Sequence, residues 1–366
     1  LKELWIVQPY LPRYRLQFFE QVASRLLELG IHVHVAAGDP ESSQAQRGDA
    51  ENPDWLVRLR SRKLGPAVMT RSWSLVRDAD AVIYPHMGSW IELNRALLSR
   101  AHSRSPKIGV WGHIASYVSD ANPVDALIER WQLRRADHVF AYTEGGANYA
   151  HRVGVQPNQL TVLNNTVDTS TLRKAIAELS VDQVSAFVAD HDLTEGKTIA
   201  YIGGLDASKR IDLLASALDE LWNLDPAVKV LICGKGELAP LFTASTARGQ
   251  SVLLGYVGDL EKALISRAAS LIVNPGRIGL IAVEALTMSL PVVTTQFAAH
   301  APEVEYLVDG QSLFKADTSD PREFAKFILD RMIAAPQPQP NESVPDLSAM
   351  VDSFCRGAVQ LLSTKA

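Results

Sequence analysis

Only two cysteines, Cys233 and Cys355, occur in the 366 residues. They lie far apart, with no CxxC, His-rich or metal-ligand spacing around them. That excludes a disulfide framework and leads us to expect a reducing compartment. Long apolar runs are missing too. No stretch of about 18 uncharged apolar residues exists, so nothing in the sequence is suited to span a bilayer. The residues after Leu1 lack a basic-then-apolar leader pattern, and the expectation is a cytoplasmic protein. A large basic excess is also absent. The net charge is −5, with 19 Lys+Arg against 17 Asp+Glu in residues 1–170 and 17 against 24 in the remainder. Nucleic acid is a poor partner for such a chain. A mildly basic first half beside an acidic second half fits one domain lying on an anionic surface.

Hydrophobic residues at 47% and charged residues at 21% are those of a soluble globular protein. The length is too great for one ordinary core, and two domains are expected. The most informative stretch is Ser270 to Thr295, SLIVNPGRIGLIAVEALTMSLPVVTT. Leu271-Ile272-Val273 reads as a buried parallel strand, stopped by Asn274-Pro275-Gly276. From Gly279 onward Leu280, Val283, Leu286 and Met288 recur at near-helical spacing, with Glu284 among them. Pro291 to Thr294 supplies the next strand. Such a βαβ unit offers amides and a positive dipole to an anion where its helix starts. Arg277 adds a full charge, and Glu284 is suited to accept hydrogen bonds from sugar hydroxyls.

This segment resembles the donor-site motif of retaining nucleotide-sugar glycosyltransferases of the two-Rossmann-domain (GT-B) type, family 4. The family motif has two glutamates separated by seven residues, followed by a PVV strand. Glu284 matches the second glutamate, Gly279-Leu280 the glycine and aliphatic residue before it, and Leu290-Pro291-Val292-Val293 the strand. The first glutamate falls on Gly276, so it is missing here. By the resemblance, the second glutamate addresses the ribose and the first the donor sugar. The departure therefore bears on sugar identity and catalytic arrangement more than on nucleotide binding.

In the first half, Glu3–Val7 reads as a strand and QPYLPRYR, with Tyr10 and Arg13, as the loop leaving it. An amphipathic helix with apolar Leu16, Phe18, Phe19, Val22, Leu26 and Leu27 ends at Gly30. Ile31–Ala37 is the next strand. His32 and His34 alternate on one of its faces, where a half-buried edge is expected rather than metal ligation. Residues 55–77 contain six basic residues and no acidic one. Arg58, Arg60 and Arg62 alternate, as on one face of a strand. Two readings stay open for them: a solvated charged face, or an acceptor or membrane-surface patch. Asp78-Ala79-Asp80 has the DxD spacing of metal-dependent glycosyltransferases, but it precedes a strand and reads as strand-entry chemistry. Lys107–Trp111 is a strand leading to Gly112-His113. By the resemblance, His113 lies beside the donor sugar. Asn164-Asn165-Thr166-Val167-Asp168 resembles the family's Asn-Gly-Val-Asp, with Thr166 in place of the glycine.

The second αβ series starts at Lys197. Thr198–Ile202 is a strand, and Gly203-Gly204-Leu205-Asp206-Ala207-Ser208-Lys209-Arg210 opens a helix. The family has Gly-Arg-Leu, three variable residues and Lys here, with both cations facing the donor pyrophosphate. Lys209 is in register, while Gly204 occupies the arginine position. Arg277, where the family has glycine, either compensates on the diphosphate or points to solvent. Gly234-Lys235-Gly236 is too short for a dinucleotide fingerprint but matches a family loop at this point. Tyr256-Val257 stand where the family's backbone receives the nucleotide base.

The expectation is an α/β protein of two facing Rossmann-like domains with an interdomain cleft. Residues 1–168 form the acceptor-side domain, 169–196 a linker, and 197–345 the nucleotide-sugar domain. A proline-rich extended stretch fills 335–345, and the helix 346–366 crosses back to the first domain. The resemblance implies a metal-independent retaining transfer from a UDP- or GDP-sugar to a glycan or polyprenyl-linked acceptor in polysaccharide or glycoconjugate synthesis. No cofactor is implied, and peripheral association with an anionic inner membrane face accompanies the basic stretch. The catalytic candidates are His113, Lys209 and Arg277. The donor-binding candidates are Gly203, Gly204, Gly234, Tyr256, Val257, Gly279, Leu280 and Glu284. The acceptor or surface candidates are Tyr10, Arg13, Arg58, Arg60 and Arg62. A sugar-nucleotide epimerase of the same fold, or a non-catalytic binding subunit, is the alternative.

Overall fold

Runs of apolar, β-branched residues become buried parallel strands wherever helices cover both faces of a sheet. The computed structural model describes residues 1–40, 50–60, 62–64, 67–99, 105–115, 123–334 and 344–363. Two compact units result, Leu1–Val167 with Pro345–Ala366, and Asp168–Val344. In the first, the strands are β1 (Lys2–Gln8), β2 (Ile31–Ala37), β3 (Leu56–Arg58), β4 (Arg62–Leu64), β5 (Ala67–Met69), β6 (Ala81–Pro85), β7 (Lys107–Gly112), β8 (His138–Ala141) and β9 (Leu160–Val162). Seven of them form a parallel sheet in the order β3-β2-β1-β6-β7-β8-β9, and β4 and β5 pair separately as an antiparallel hairpin.

The second unit has β10 (Thr198–Ile202), β11 (Lys229–Cys233), β12 (Ser251–Gly255), β13 (Leu271–Val273), β14 (Val292–Thr295) and β15 (Leu313–Ala316), ordered β12-β11-β10-β13-β14-β15. β10, β13 and β14 are buried at every residue, which is why they read as unbroken apolar runs. In each sheet the strand order reverses beside the first strand, at β1/β6 and at β10/β13. Open α/β sheets place ligands outside the carboxyl ends of strands at such switch points. Both units are therefore Rossmann-like, and the α/β class is as expected.

Of the six apolar residues its periodicity marks, the helix Leu16–Glu28 buries Phe18, Phe19, Val22 and Leu26, while Leu16 is half-buried and Leu27 exposed. Against it lies the helix Leu347–Ser363, which belongs to the first unit although about 180 residues separate it from β9. Phe354 is its wedge, 5.3 Å from the rings of Phe18 and Trp111 and 5.0 Å from Phe140. Gly357 lets the helix approach, because a Cβ there would stand 2.5 Å from the Phe140 ring. Near the amino end of β1, the Lys2 ammonium donates to the Leu362 carbonyl at 3.1 Å.

Two expectations change. Residues 169–196, read as a linker, form the helices Ser170–Glu178 and Val181–Asp190 of the second unit. Leu172 and Phe187 bury their side chains in that unit's core, while the exposed polar faces hid the pattern. Arg58, Arg60 and Arg62 do not share a strand. Arg58 ends β3 on the large sheet and Arg62 begins the hairpin. Three-residue strands are too short to show a period. The side chain of Arg62 and residues 335–343 of the proline-rich stretch lie outside the described residues.

Candidate donor site

The switch point β10/β13 brings the loops after those two strands together. Arg277 donates its backbone N–H to the Ser208 carbonyl at 2.9 Å. Lys209, at the end of the turn Ala207–Lys209, donates from Nζ to the Arg277 carbonyl. Asp206 fixes that turn by accepting the Ser208 N–H at 2.9 Å. Two residues 68 positions apart are thus tied together by their loops. The Arg277 side chain is partly buried and has no hydrogen-bond or ion-pair partner among the described residues. Its guanidinium remains available to a ligand, and the Lys209 ammonium is held beside it by the Arg277 carbonyl.

Gly276 explains the missing glutamate. A Cβ built there would stand 2.5 Å from the Ser208 carbonyl oxygen and 2.6 Å from the Lys209 Cα. No side chain fits against that backbone. Gly234 is required for a similar reason, since a Cβ on it would overlap the Gly203 carbonyl oxygen. The two loops are laced by Gly203 N–H to Cys233 O at 2.9 Å and Leu205 N–H to Lys235 O at 3.0 Å. Gly204 accepts the Tyr201 hydroxyl at its carbonyl, 2.5 Å away.

The helix Ile281–Thr287 begins after Gly279 and Leu280. Those two residues have no backbone acceptor for their N–H groups among the described residues, whereas Ala282 and Val283 turn back onto their carbonyls. Glu284 points from this helix to Lys262, with Oε1 2.6 Å from Nζ. Their side chains are 21% and 12% exposed, so the pair is largely shielded from water. Burial alone would lower the Lys262 ammonium, but the charge and hydrogen bond of Glu284 outweigh it and hold it above its ordinary value. Sequence reasoning missed Lys262, which lies 22 positions away on the helix Asp259–Ala268. Tyr256 is exposed and Val257 buried, so the ring of Tyr256 is the accessible one of that pair.

His300 was missed as well. Its Nδ1 accepts the Ile278 N–H at 3.2 Å, which places the proton of the neutral ring on Nε2. Nε2 is buried without a partner among the described residues. Burial first, then the charges of Lys315 and Lys209, lower the imidazole to about 4. The signal was a lone histidine in an unpatterned loop, and nothing around it in the sequence marks it. Asn274, fully buried just after β13, has neither amide atom paired within the described residues.

In the first unit His113 follows the carboxyl end of β7, its ring 5.3 Å from that of Tyr142 at 61°. Gly146 opens the space under it, since a Cβ there would be 2.6 Å from the His113 carbonyl oxygen. Nearby is a residue that sequence reasoning passed over. Arg15 is 5% exposed and sits among the rings of Tyr14, Phe18, Trp111 and Tyr142 at 5.3–5.6 Å. It donates to the Asn165 side-chain oxygen and to Met350 Sδ. Arg13 pairs with Glu51 at 2.6 Å, Arg58 donates to the Asn52 side chain at 2.9 Å, and Arg60 is exposed. Tyr10 stands in the loop after β1. Asp80 receives the Glu3 N–H at 2.7 Å, which is the strand-entry role read for it.

No curated protein matches the chain in sequence. Among solved structures, Anabaena HepE in complex with UDP and glucose superposes with a TM-score of 0.64 at 13% identity, covering 98% of this chain and 99% of that one. A Rickettsia africae glycosyltransferase gives 0.67 at 12%, covering 100% and 99%. The UDP-GlcNAc 2-epimerase of Methanocaldococcus jannaschii gives 0.59 at 16%, covering 98% and 99%. At these identities the likeness speaks for the fold. Among the described residues no helix is long and apolar enough to cross a membrane. Two family models match, "Glycosyltransferase Family 4" over residues 17–171 and "Glycosyl transferases group 1" over residues 196–332. With one match in each unit, on the fold those enzymes share, the chain belongs to the GT-B glycosyltransferases of the family 4 kind.

Proposed function

We propose that this glycosyltransferase uses a UDP- or GDP-sugar and transfers the sugar, with retention and without a metal, to a glycan or polyprenyl-linked acceptor. The observation that carries the donor half is the meeting of Lys209 and Arg277 on adjoining loops at the carboxyl ends of β10 and β13. A leaving nucleoside diphosphate gains charge as the anomeric C–O bond breaks. Cations already held in place stabilise that charge without reorganisation. Arg277 suits bidentate contact with phosphate oxygens, and Lys209 acts as a compact charge beside it. The Gly279 and Leu280 amides add neutral donors, and Glu284 accepts the ribose hydroxyls. The acceptor hydroxyl forms the new bond to the anomeric carbon, and its proton passes to an oxygen of the departing diphosphate. The first unit serves the acceptor, and His113, just past the carboxyl end of β7, is the polar group that lines the reacting sugar.

The acceptor class rests on family resemblance and on the basic residues 55–77. HepE, crystallised with UDP and glucose, supports a uridine nucleotide as the first donor to try. The likeness to a UDP-GlcNAc 2-epimerase keeps a second reading in view. One experiment separates them. The chain is incubated with a panel of UDP- and GDP-sugars, with and without a polyprenyl-phosphate sugar, and products are resolved by mass spectrometry and NMR. Transfer yields free nucleotide and a new glycoside with the donor's anomeric configuration. Isomerised nucleotide sugar without an acceptor would establish the epimerase instead, and binding without turnover a non-catalytic subunit.

A further inference from the structure

We propose that Glu3, His32 and His34 form a binding site for a divalent transition-metal ion of the zinc type. The site lies in the first unit, toward the amino ends of β1 and β2 and away from the ligand-binding carboxyl edge. The parallel ladder pairs Glu3 with His32 and Trp5 with His34. Laterally paired residues, and residues two apart on one strand, project to the same face. All four side chains therefore share one surface. Both histidines converge on a single carboxylate oxygen, with Glu3 Oε2 2.6 Å from His34 Nε2 and 3.4 Å from His32 Nδ1. The candidate ligand atoms all lie within 4.8 Å of one another. Zinc bonds of about 2.0–2.2 Å in tetrahedral geometry separate ligand atoms by about 3.4 Å. The His32–Glu3 spacing already matches, and the His34–Glu3 hydrogen bond need only open to admit the ion.

Further features support an ion rather than a simple ion pair. Two imidazoles and one carboxylate are the donor set of zinc, nickel and copper sites, whereas magnesium and calcium prefer oxygen alone. His32, Glu3 and His34 are 50%, 41% and 28% exposed, which provides an entry path and room for a water to complete the shell. Trp5 stacks on the His34 ring with centroids 4.5 Å apart and planes at 17°, holding one ligand in place. Asp80 receives the Glu3 backbone N–H at 2.7 Å and steadies the other. An ion here would clamp β2 to β1. Because it binds the folded arrangement, it would raise the melting temperature.

The test uses the full chain without a histidine tag, stripped by chelator, titrated with Zn2+ and separately with Mg2+ by calorimetry at pH 7.5. The expected result is one Zn2+ per chain, no Mg2+ heat, and a higher melting temperature with Zn2+. The double variant His32→Ala, His34→Ala loses at least about 10–100-fold in Zn2+ affinity, the scale of losing even an outer-shell partner. No Zn2+ binding to the wild type, or unchanged binding to the variant, overturns the proposal. A measurement on the wild type alone stands beside it should the variant fail to fold. Zn2+ is expected to protect His32 and His34 from diethylpyrocarbonate, read by peptide mass spectrometry, and equal modification with and without Zn2+ overturns the site.

Discussion

Gly276 is pressed so closely against Lys209 that a Cβ on it would stand 2.6 Å from the Lys209 Cα. The loop that lost the family's first glutamate is therefore committed to glycine by packing. Gly276→Ala is expected to destabilise the second unit by about 1–3 kcal/mol, the usual cost of forcing extra atoms into a packed site. Gly276→Glu, which restores the family residue, should be worse in both stability and turnover. An alanine variant with an unchanged melting curve would show that the 208–209 turn yields freely.

Lys209→Ala should leave the fold intact and lower kcat by about 10²–10³-fold, by analogy with the loss of one preorganised donor to a developing anion. The variant also frees the Arg277 carbonyl, so its melting temperature is measured in parallel. Normal stability with unchanged turnover removes Lys209 from the leaving-group role.

Arg277→Gly tests the exchange of cations. If its guanidinium holds the diphosphate, the single variant should approach the loss seen in Lys209→Ala. Adding Gly204→Arg should recover part of it, since charges sharing one anion are not additive. The new side chain must first displace Asp206, because a Cβ at 204 would lie 3.0 Å from the Asp206 carboxylate. Rescue is accordingly partial at best, and the single variant is the more decisive measurement. Near-normal activity of Arg277→Gly places its charge in solvent.

Glu284→Gln has two consequences that can be told apart. It weakens nucleotide binding, because a charged acceptor bonds hydroxyls about twice as strongly as a neutral one. It also strands the Lys262 ammonium, 12% exposed, which costs stability on the scale of about 3 kcal/mol for a broken buried pair. Adding Lys262→Met should return the melting temperature toward wild type without returning nucleotide affinity. Recovery of both would assign Glu284 to structure alone.

Three histidines predict the acid limb. Burial lowers His86 and His138 in the first unit and His300 in the second to about 4. In the unfolded chain each returns to about 6.5, so the unfolded state binds more protons between these values. Their contribution is complete above pH 6.5 and is lost as pH falls toward 4. The melting temperature should therefore already decline between pH 6.5 and 5, above the range where ordinary carboxylates titrate. A flat curve there contradicts the neutral assignment.

The second sheet was legible because its strands are short and largely apolar, and β10, β11, β12 and β13 are each followed by a glycine-bearing loop. Lys209 and Glu284 could be named from family spacing. Their partners could not, because the Arg277 carbonyl and Lys262 meet them only through strand order. Gly276 was seen as the departure from the family's first glutamate, but its packing against the 208–209 backbone is visible only once the β10 loop lies beside it. His32 and His34 were seen as an alternating pair, but the third group, Glu3, joins them by the β1–β2 register. Arg15 was hidden in an amphipathic pattern that treats arginine as surface. The helices within 169–196 showed helical spacing, yet only Leu172 and Phe187 are buried there, too few to announce a core.

The helix Leu347–Ser363 bears on how the protein is made. A chain synthesised from its amino end delivers β1 to β9 first, but the surface around Phe18, Trp111 and Phe140 stays open until Phe354 arrives. The second unit, whose residues are contiguous from Asp168 to Val344, has all its parts earlier. The order of completion thus reverses the order of synthesis, and the half made first keeps an aromatic face uncovered until the helix Leu347–Ser363 has been made.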